Sequence, residues 1–86
     1  MNDKIMQQVS SALGSTLGLE QTSIFRSSRI IEDLRCEHPV VIVGAIEQEF
    51  EIIIFDEDLE LLKTVEHIAA LVEERLKQSG RLGEFA

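Results

Sequence analysis

The sequence contains neither Trp nor Tyr, and Pro and Cys occur once each in 86 residues. A β-sandwich needs many short strands and many turns, so this poverty in proline and aromatics favours helices. The lone Cys36 cannot make an internal disulfide, and no basic segment followed by a long apolar run opens the chain. A reducing, cytoplasmic setting is therefore expected. The longest apolar run without a charge, Pro39 to Ile46, falls far short of the roughly 20 residues that span a bilayer, so no membrane span is expected. A chain this short supports one compact core, which implies a single domain over residues 1–80 and a flexible tail over 81–86.

A further absence is of one sign of charge. Residues 36–62 contain no Lys or Arg but eight acids, Glu37, Glu47, Glu49, Glu51, Asp56, Glu57, Asp58 and Glu60, which account for the whole formal net charge of −8. Such a segment repels nucleic acid and anionic lipid and steers basic protein surfaces towards itself. Nucleic-acid binding is accordingly not expected.

What is present is helical periodicity. Ile5, Met6, Val9, Ala12, Leu13 and Leu17 recur at spacings of three and four, predicting a helix over 3–17 with Asn2 as cap and Gly18 as stop. From Leu19 to Arg35 no period is sustained, and the apolar residues Ile24, Phe25, Ile30, Ile31 and Leu34 read as anchors of a long pinned loop. Pro39 suits the first turn of a second helix over 39–50, with His38 biased towards a cap. Its first two turns are apolar on every side. The β-branched residues Val40 to Val43 and Ile52 to Ile54 also allow a strand reading, but Ala45 to Phe50 continues at helical spacing. A short acidic turn follows over 56–62. Thr64 then caps a final helix over 65–78 that buries Val65, Ile68, Ala69, Leu71, Val72 and Leu76 and stops at Gly80.

Catalytic readings fare poorly. Cys36, Glu37 and His38 are nucleophile, carboxylate and base types, but adjacent side chains rarely converge, and no Gly-rich turn accompanies them. A metal site from Cys36, His38 and His67 has no recognised ligand spacing. His67 reads instead as an exposed first-turn residue of the last helix. Neither an enzyme nor a metal protein is expected.

Three segments in order, Ile31-Glu32-Asp33-Leu34, Ile46-Glu47-Gln48-Glu49-Phe50, and Ile54 to Val72 with Asp56-Glu57-Asp58 and Lys63-Thr64-Val65, together resemble the acyl carrier protein family from about residue 3 to residue 78. The resemblance implies an all-α, four-helix bundle with a long loop between the first two helices. It also implies a serine, in an Asp-Ser-Leu motif at the start of the second helix, that carries 4′-phosphopantetheine as a thiol arm for acyl thioesters. This sequence departs there: Leu34 is followed by Arg35-Cys36-Glu37-His38-Pro39, with no serine. Counting back from Phe50 places Cys36 at the attachment position, and counting forward from Glu32-Asp33-Leu34 places His38 there. Capping before Pro39 favours His38. The transferase that loads such carriers needs a hydroxyl, which neither side chain supplies.

Compared with the family pattern, Val41, Ile52, Ile53, Phe55, Leu59 and Leu61 are gained apolar residues. Of these, Val41, Ile52, Ile53, Phe55 and Leu59 are the candidate partner face, and Glu47, Glu51 and Asp56 are the candidate acidic contacts beside them. The expected function is an interaction module without cofactor, binding a basic and partly apolar protein surface or a second copy of itself. The alternative is a working specialised carrier, armed with 4′-phosphopantetheine through Cys36 or His38, for acyl transfer in fatty-acid, lipid or polyketide-type synthesis.

Overall fold

The structure, a computed structural model, describes residues 3–85. Asn2, the expected cap of the first helix, lies outside the described residues. Among the described residues three α-helices form: α1 (Asp3–Leu17), α2 (Val40–Phe50) and α3 (Val65–Gln78). The short acidic turn is a 3₁₀ helix, Asp56–Leu61, and completes the four-helix set. Two further 3₁₀ turns, Gln21–Ser23 and Leu82–Phe85, lie in the long loop and after α3. Among the described residues no strand forms, and Ile52 to Phe55 does not pair with Val40 to Val43. One isolated bridge joins Arg29 to Thr64.

The apolar stripes read from the sequence meet in one core. Ile5, Val9 and Leu13 of α1 pack with Ile42, Val43, Ile46 and Phe50 of α2 and with Val65, Ile68, Ala69, Val72 and Leu76 of α3. Within the loop, Ile24, Ile30 and Leu34 are buried, whereas Phe25 and Ile31 are exposed. Ile24 sits in extended backbone. Successive side chains there face opposite ways, so burying Ile24 turns Phe25 out. Leu82 packs against the core from beyond α3, and the Arg81 amide donates to Leu76 O at 2.8 Å.

Helix boundaries follow local chemistry. Gly18 and Gly80 adopt the left-handed backbone expected of helix stops. Pro39 already has helical dihedrals, and Val41 N donates to His38 O at 3.0 Å, so the chain turns into α2 at His38. Thr64 caps α3, its hydroxyl accepting from His67 N. At the end of α2 the left-handed residue is Glu51, with φ of 53°. A residue with a Cβ is strained there, and the strain is offset by Ile54 N donating to Glu47 Oε2 at 2.9 Å and Arg81 Nη1 donating to Glu51 O at 2.8 Å.

Two helical glycines have opposite surroundings. A Cβ on Gly14 would lie 2.8 Å from Leu19 O, closer than real contacts allow, while one on Gly44 would meet nothing within 4 Å. Alanine gains helix propensity of roughly 0.5–1 kcal/mol at either site, but at Gly14 backbone must move, costing about 1–3 kcal/mol. In denaturant unfolding, Gly44→Ala is expected to raise stability and Gly14→Ala to lower it.

Candidate functional site

Residues 26–30 of the loop lie against residues 63–66, just before and within the first turn of α3. Ile30 N donates to Lys63 O, Val65 N to Ser28 O, and Glu66 N to Arg26 O, each at 3.0 Å. Beyond this tie the Ile31-Glu32-Asp33-Leu34 motif closes on itself. Asp33 accepts from Arg29 N at 2.7 Å and from the Arg29 guanidinium at 3.2 and 3.3 Å. Cys36 N then donates to Ile30 O at 3.1 Å, bringing the chain to the start of α2.

The two candidate attachment residues are placed differently. Cys36 is 4% exposed, belongs to the core, and its Sγ lies 3.5 Å from His38 O. Arg35 before it takes a left-handed backbone with φ of 57°, which lets the chain turn Cys36 inward. His38 is exposed at the mouth of α2. Residues 35–39 hold no hydroxyl side chain.

The partner-face residues read from the sequence divide into two groups. Val41 is 53% exposed, beside the exposed Val40 and Gly44, so the first turns of α2 present apolar surface to solvent. Ile53 (65%) and Phe55 (52%) are exposed on the extended link to the 3₁₀ helix. Ile52 and Leu59 are half-buried and pack on the core. Of the acids, Asp56 is exposed, Glu51 reaches Arg81 at 3.7 Å, and Glu47 is half-buried and bonded to Ile54 N.

Sequence periodicity did not reveal the clamp on this link. Arg75 of α3, its side chain 16% exposed, donates to Asp58 Oδ2 at 2.6 Å and to Ile53 O at 3.3 Å, and lies 5.4 Å from the Phe55 ring centroid. The ion pair, the carbonyl contact and the cation–π contact together fix residues 53–58. A groove of about 340 Å³ lies beside the clamp, lined by Ile52, Ile53, Phe55, Arg75 and Arg81. Among the described residues, Cys36, His38 and His67 do not gather into a metal-ligand set. His67 is exposed, as expected, but its Nδ1 accepts from Lys63 N and Thr64 N at 3.1 and 3.2 Å. The signal was legible in the spacing of Thr64 and His67, which is that of a capping box with an imidazole in the carboxylate position.

The Arg29 hydrogen bonds hold the Asp33 carboxyl below the ordinary carboxylate range, and raise Arg29 in turn. A lowered acid favours the folded state while ionised, so its contribution is present above the ordinary value of 3.8 and is lost as pH falls below it. Asp33→Asn is expected to weaken the fold at neutral pH and to flatten the acid limb of stability below about pH 4, as followed by circular dichroism.

No family model matches the sequence. Curated relatives do. The acyl carrier protein of Rickettsia canadensis (strain McKiel) is 35% identical over 75 residues, covering 85% of this chain and 87% of that protein. That of Petrotoga mobilis (strain DSM 10674 / SJ95) is 30% identical over 76 residues, 86% of this chain and 89% of that protein. The acyl carrier protein of Thermotoga maritima is 29% identical over 76 residues, 86% and 94% of the two chains. With the helical order, the long pinned loop and the acidic 3₁₀ helix in place, these likenesses settle the family: the chain belongs to the acyl carrier proteins.

Proposed function

We propose that this family member works without a phosphopantetheine arm, as a non-enzymatic cytoplasmic module that docks on a basic and partly apolar protein surface. The observation that carries the proposal is the start of α2, which offers an exposed imidazole at His38, a buried thiol at Cys36 and no hydroxyl. A phosphodiester to the arm forms on a hydroxyl oxygen, so the residues present do not fit the group. The surface supports the second half of the reading. Val40, Val41, Ile53 and Phe55 are exposed around α2 and the link after it, in a segment whose charges are all negative. Exposed apolar side chains on a segment of one charge sign, with Arg75 and Arg81 reaching in from beyond it, suit a protein interface better than a solvated face. The same side chains would also serve a homodimer, for which the uniform negative charge is a cost.

Intact mass after incubation with coenzyme A and a broad-specificity phosphopantetheinyl transferase tests the missing arm. No mass increase is expected. An increase matching the arm, mapped by fragmentation to Cys36, His38 or any other residue, would overturn the proposal and make the chain a working specialised carrier.

Electrostatic steering is tested separately, on a partner protein recovered with the chain as bait. The association rate is expected to fall about tenfold as salt rises from low to high, since the Debye length shrinks to about 8 Å at physiological ionic strength and less beyond it. Asp56→Lys is expected to slow association similarly at low salt, because that carboxylate is exposed and outside the fold's internal bonds. A rate indifferent to both changes would leave only the apolar surface as the source of binding.

A further inference from the structure

The ring of His67 stands where a capping box normally places Glu or Gln. It turns back from the third residue of α3 onto the chain that precedes the helix. Nδ1 lies 3.1 Å from Lys63 N and 3.2 Å from Thr64 N, and Thr64 Oγ1 accepts from His67 N at 3.4 Å. A nitrogen that accepts two N–H groups carries no proton, so the neutral ring holds its hydrogen on Nε2. Lys63 N has a second acceptor in Leu61 O at 3.1 Å, whereas the acceptor of Thr64 N is the imidazole. A carboxylate in this place would keep its lone pairs through the neutral range. An imidazole loses the acceptor when it gains a proton, and the resulting cation sits at the positive end of the helix dipole.

The peptide groups that His67 caps belong to the strip that holds the loop. Lys63 O, Ser28 O and Arg26 O accept from Ile30 N, Val65 N and Glu66 N, and the bridge between Arg29 and Thr64 runs through the same residues. From Ile30 O the loop is tied onward to Cys36 N, two residues before His38. We propose that His67 is a proton-operated clasp. With the ring neutral, the start of α3 and the loop leading to α2 are held together, and with the ring protonated they loosen.

The charged groups around the ring come from each element beside it. Asp58 of the 3₁₀ helix and Glu74 of α3 line the same cavity of about 200 Å³ as His67. Asp58 is engaged by Arg75. Lys63 and Glu66 flank the ring in sequence, Arg29 faces Thr64 with its guanidinium on Asp33, and the Arg26 side chain is directed to Asp3 at 3.1 Å. None of these groups can replace the lost lone pair, because the donors to be satisfied are backbone amides aimed at Nδ1. A proton on Nδ1 therefore opens the clasp.

The test is amide hydrogen exchange by NMR on the full chain at pH 7.5 and 5.5, with rates corrected for intrinsic pH dependence. His67→Gln supplies a capping-box acceptor that cannot be protonated in this range, so the variant keeps the fold and removes the switch. In the wild type, protection at Thr64, Ile30, Val65 and Glu66 is expected to fall together by about fivefold at the lower pH, the effect of losing one cap. In His67→Gln the four amides are expected to be equally protected at both values. A nitrogen-detected spectrum at pH 7.5 should show Nδ1 without a proton. The proposal fails if the wild-type fall is absent, if it persists in His67→Gln, if Thr64 responds while the three loop-tying amides do not, or if Nδ1 is protonated at pH 7.5.

Discussion

Three backbone hydrogen bonds between residues 26–30 and 63–66 decide where the connection between α1 and α2 can lie. Ordering a residue costs roughly 1–2 kcal/mol of backbone entropy, so a connection covering residues 18–39 stays in place only if it is anchored repeatedly. Ile24, Ile30, Leu34 and Cys36 supply burial, and the short tie to residues 63–66 supplies direction. Because the tie sits at the first turn of α3, the helix and the loop order one another. The approach to α2 inherits that order through the contact of Cys36 N with Ile30 O. The geometry at His38 is thus set from the opposite end of the sequence.

Much of this order is legible in the sequence. Ile5, Val9 and Leu13 at helical spacing, Thr64 before the last apolar stripe and Gly18 after the first located α1 and α3 to the residue. α2 begins at Val40 rather than Pro39, and the acidic turn ends at Leu61 rather than Leu62, because periodicity marks a buried face more firmly than an end. Loop burial has no period, so the sequence does not separate Phe25 and Ile31, which are exposed, from their neighbours Ile24 and Ile30, which turn inward. Side chains that act across the fold were the least legible. No sequence pattern marks Arg75, and only packing places Asp58 and the Ile53 carbonyl beside it. The attachment position stayed ambiguous by two residues in the sequence, and burial separates its candidates, with Cys36 inside and His38 outside.

The acid-only segment raises a physical difficulty that the structure resolves from outside it. Eight carboxylates with no local cation repel one another and oppose a tight turn. Arg75 and Arg81, both beyond residue 62, reach back to Asp58 and Glu51, and Glu47 turns its carboxylate onto the amide of Ile54. Three of the eight acids are thereby given internal work, two of them at the end of α2. The remainder, on α2, on the 3₁₀ helix and before Pro39, stay outside these contacts and give the face its field.

If the chain docks without a tethered arm, as proposed, its affinity must come from the protein surface itself. Apolar burial at roughly 25 cal/mol per Å² makes each large side chain worth about 1.5–3 kcal/mol when fully covered, and association costs at least about 4 kcal/mol of lost freedom. The half-exposed Val41, Ile53 and Phe55 can each regain only part of that value, so they offset the cost without much surplus. Carboxylates around them add encounter rate more than residence. For the docking proposed above, that balance would give fast, modest and salt-sensitive association. In such a regime a change of a few-fold in the order of the loop and the start of α3 is comparable with the whole margin of binding, which is why a single imidazole at the junction is well placed to matter.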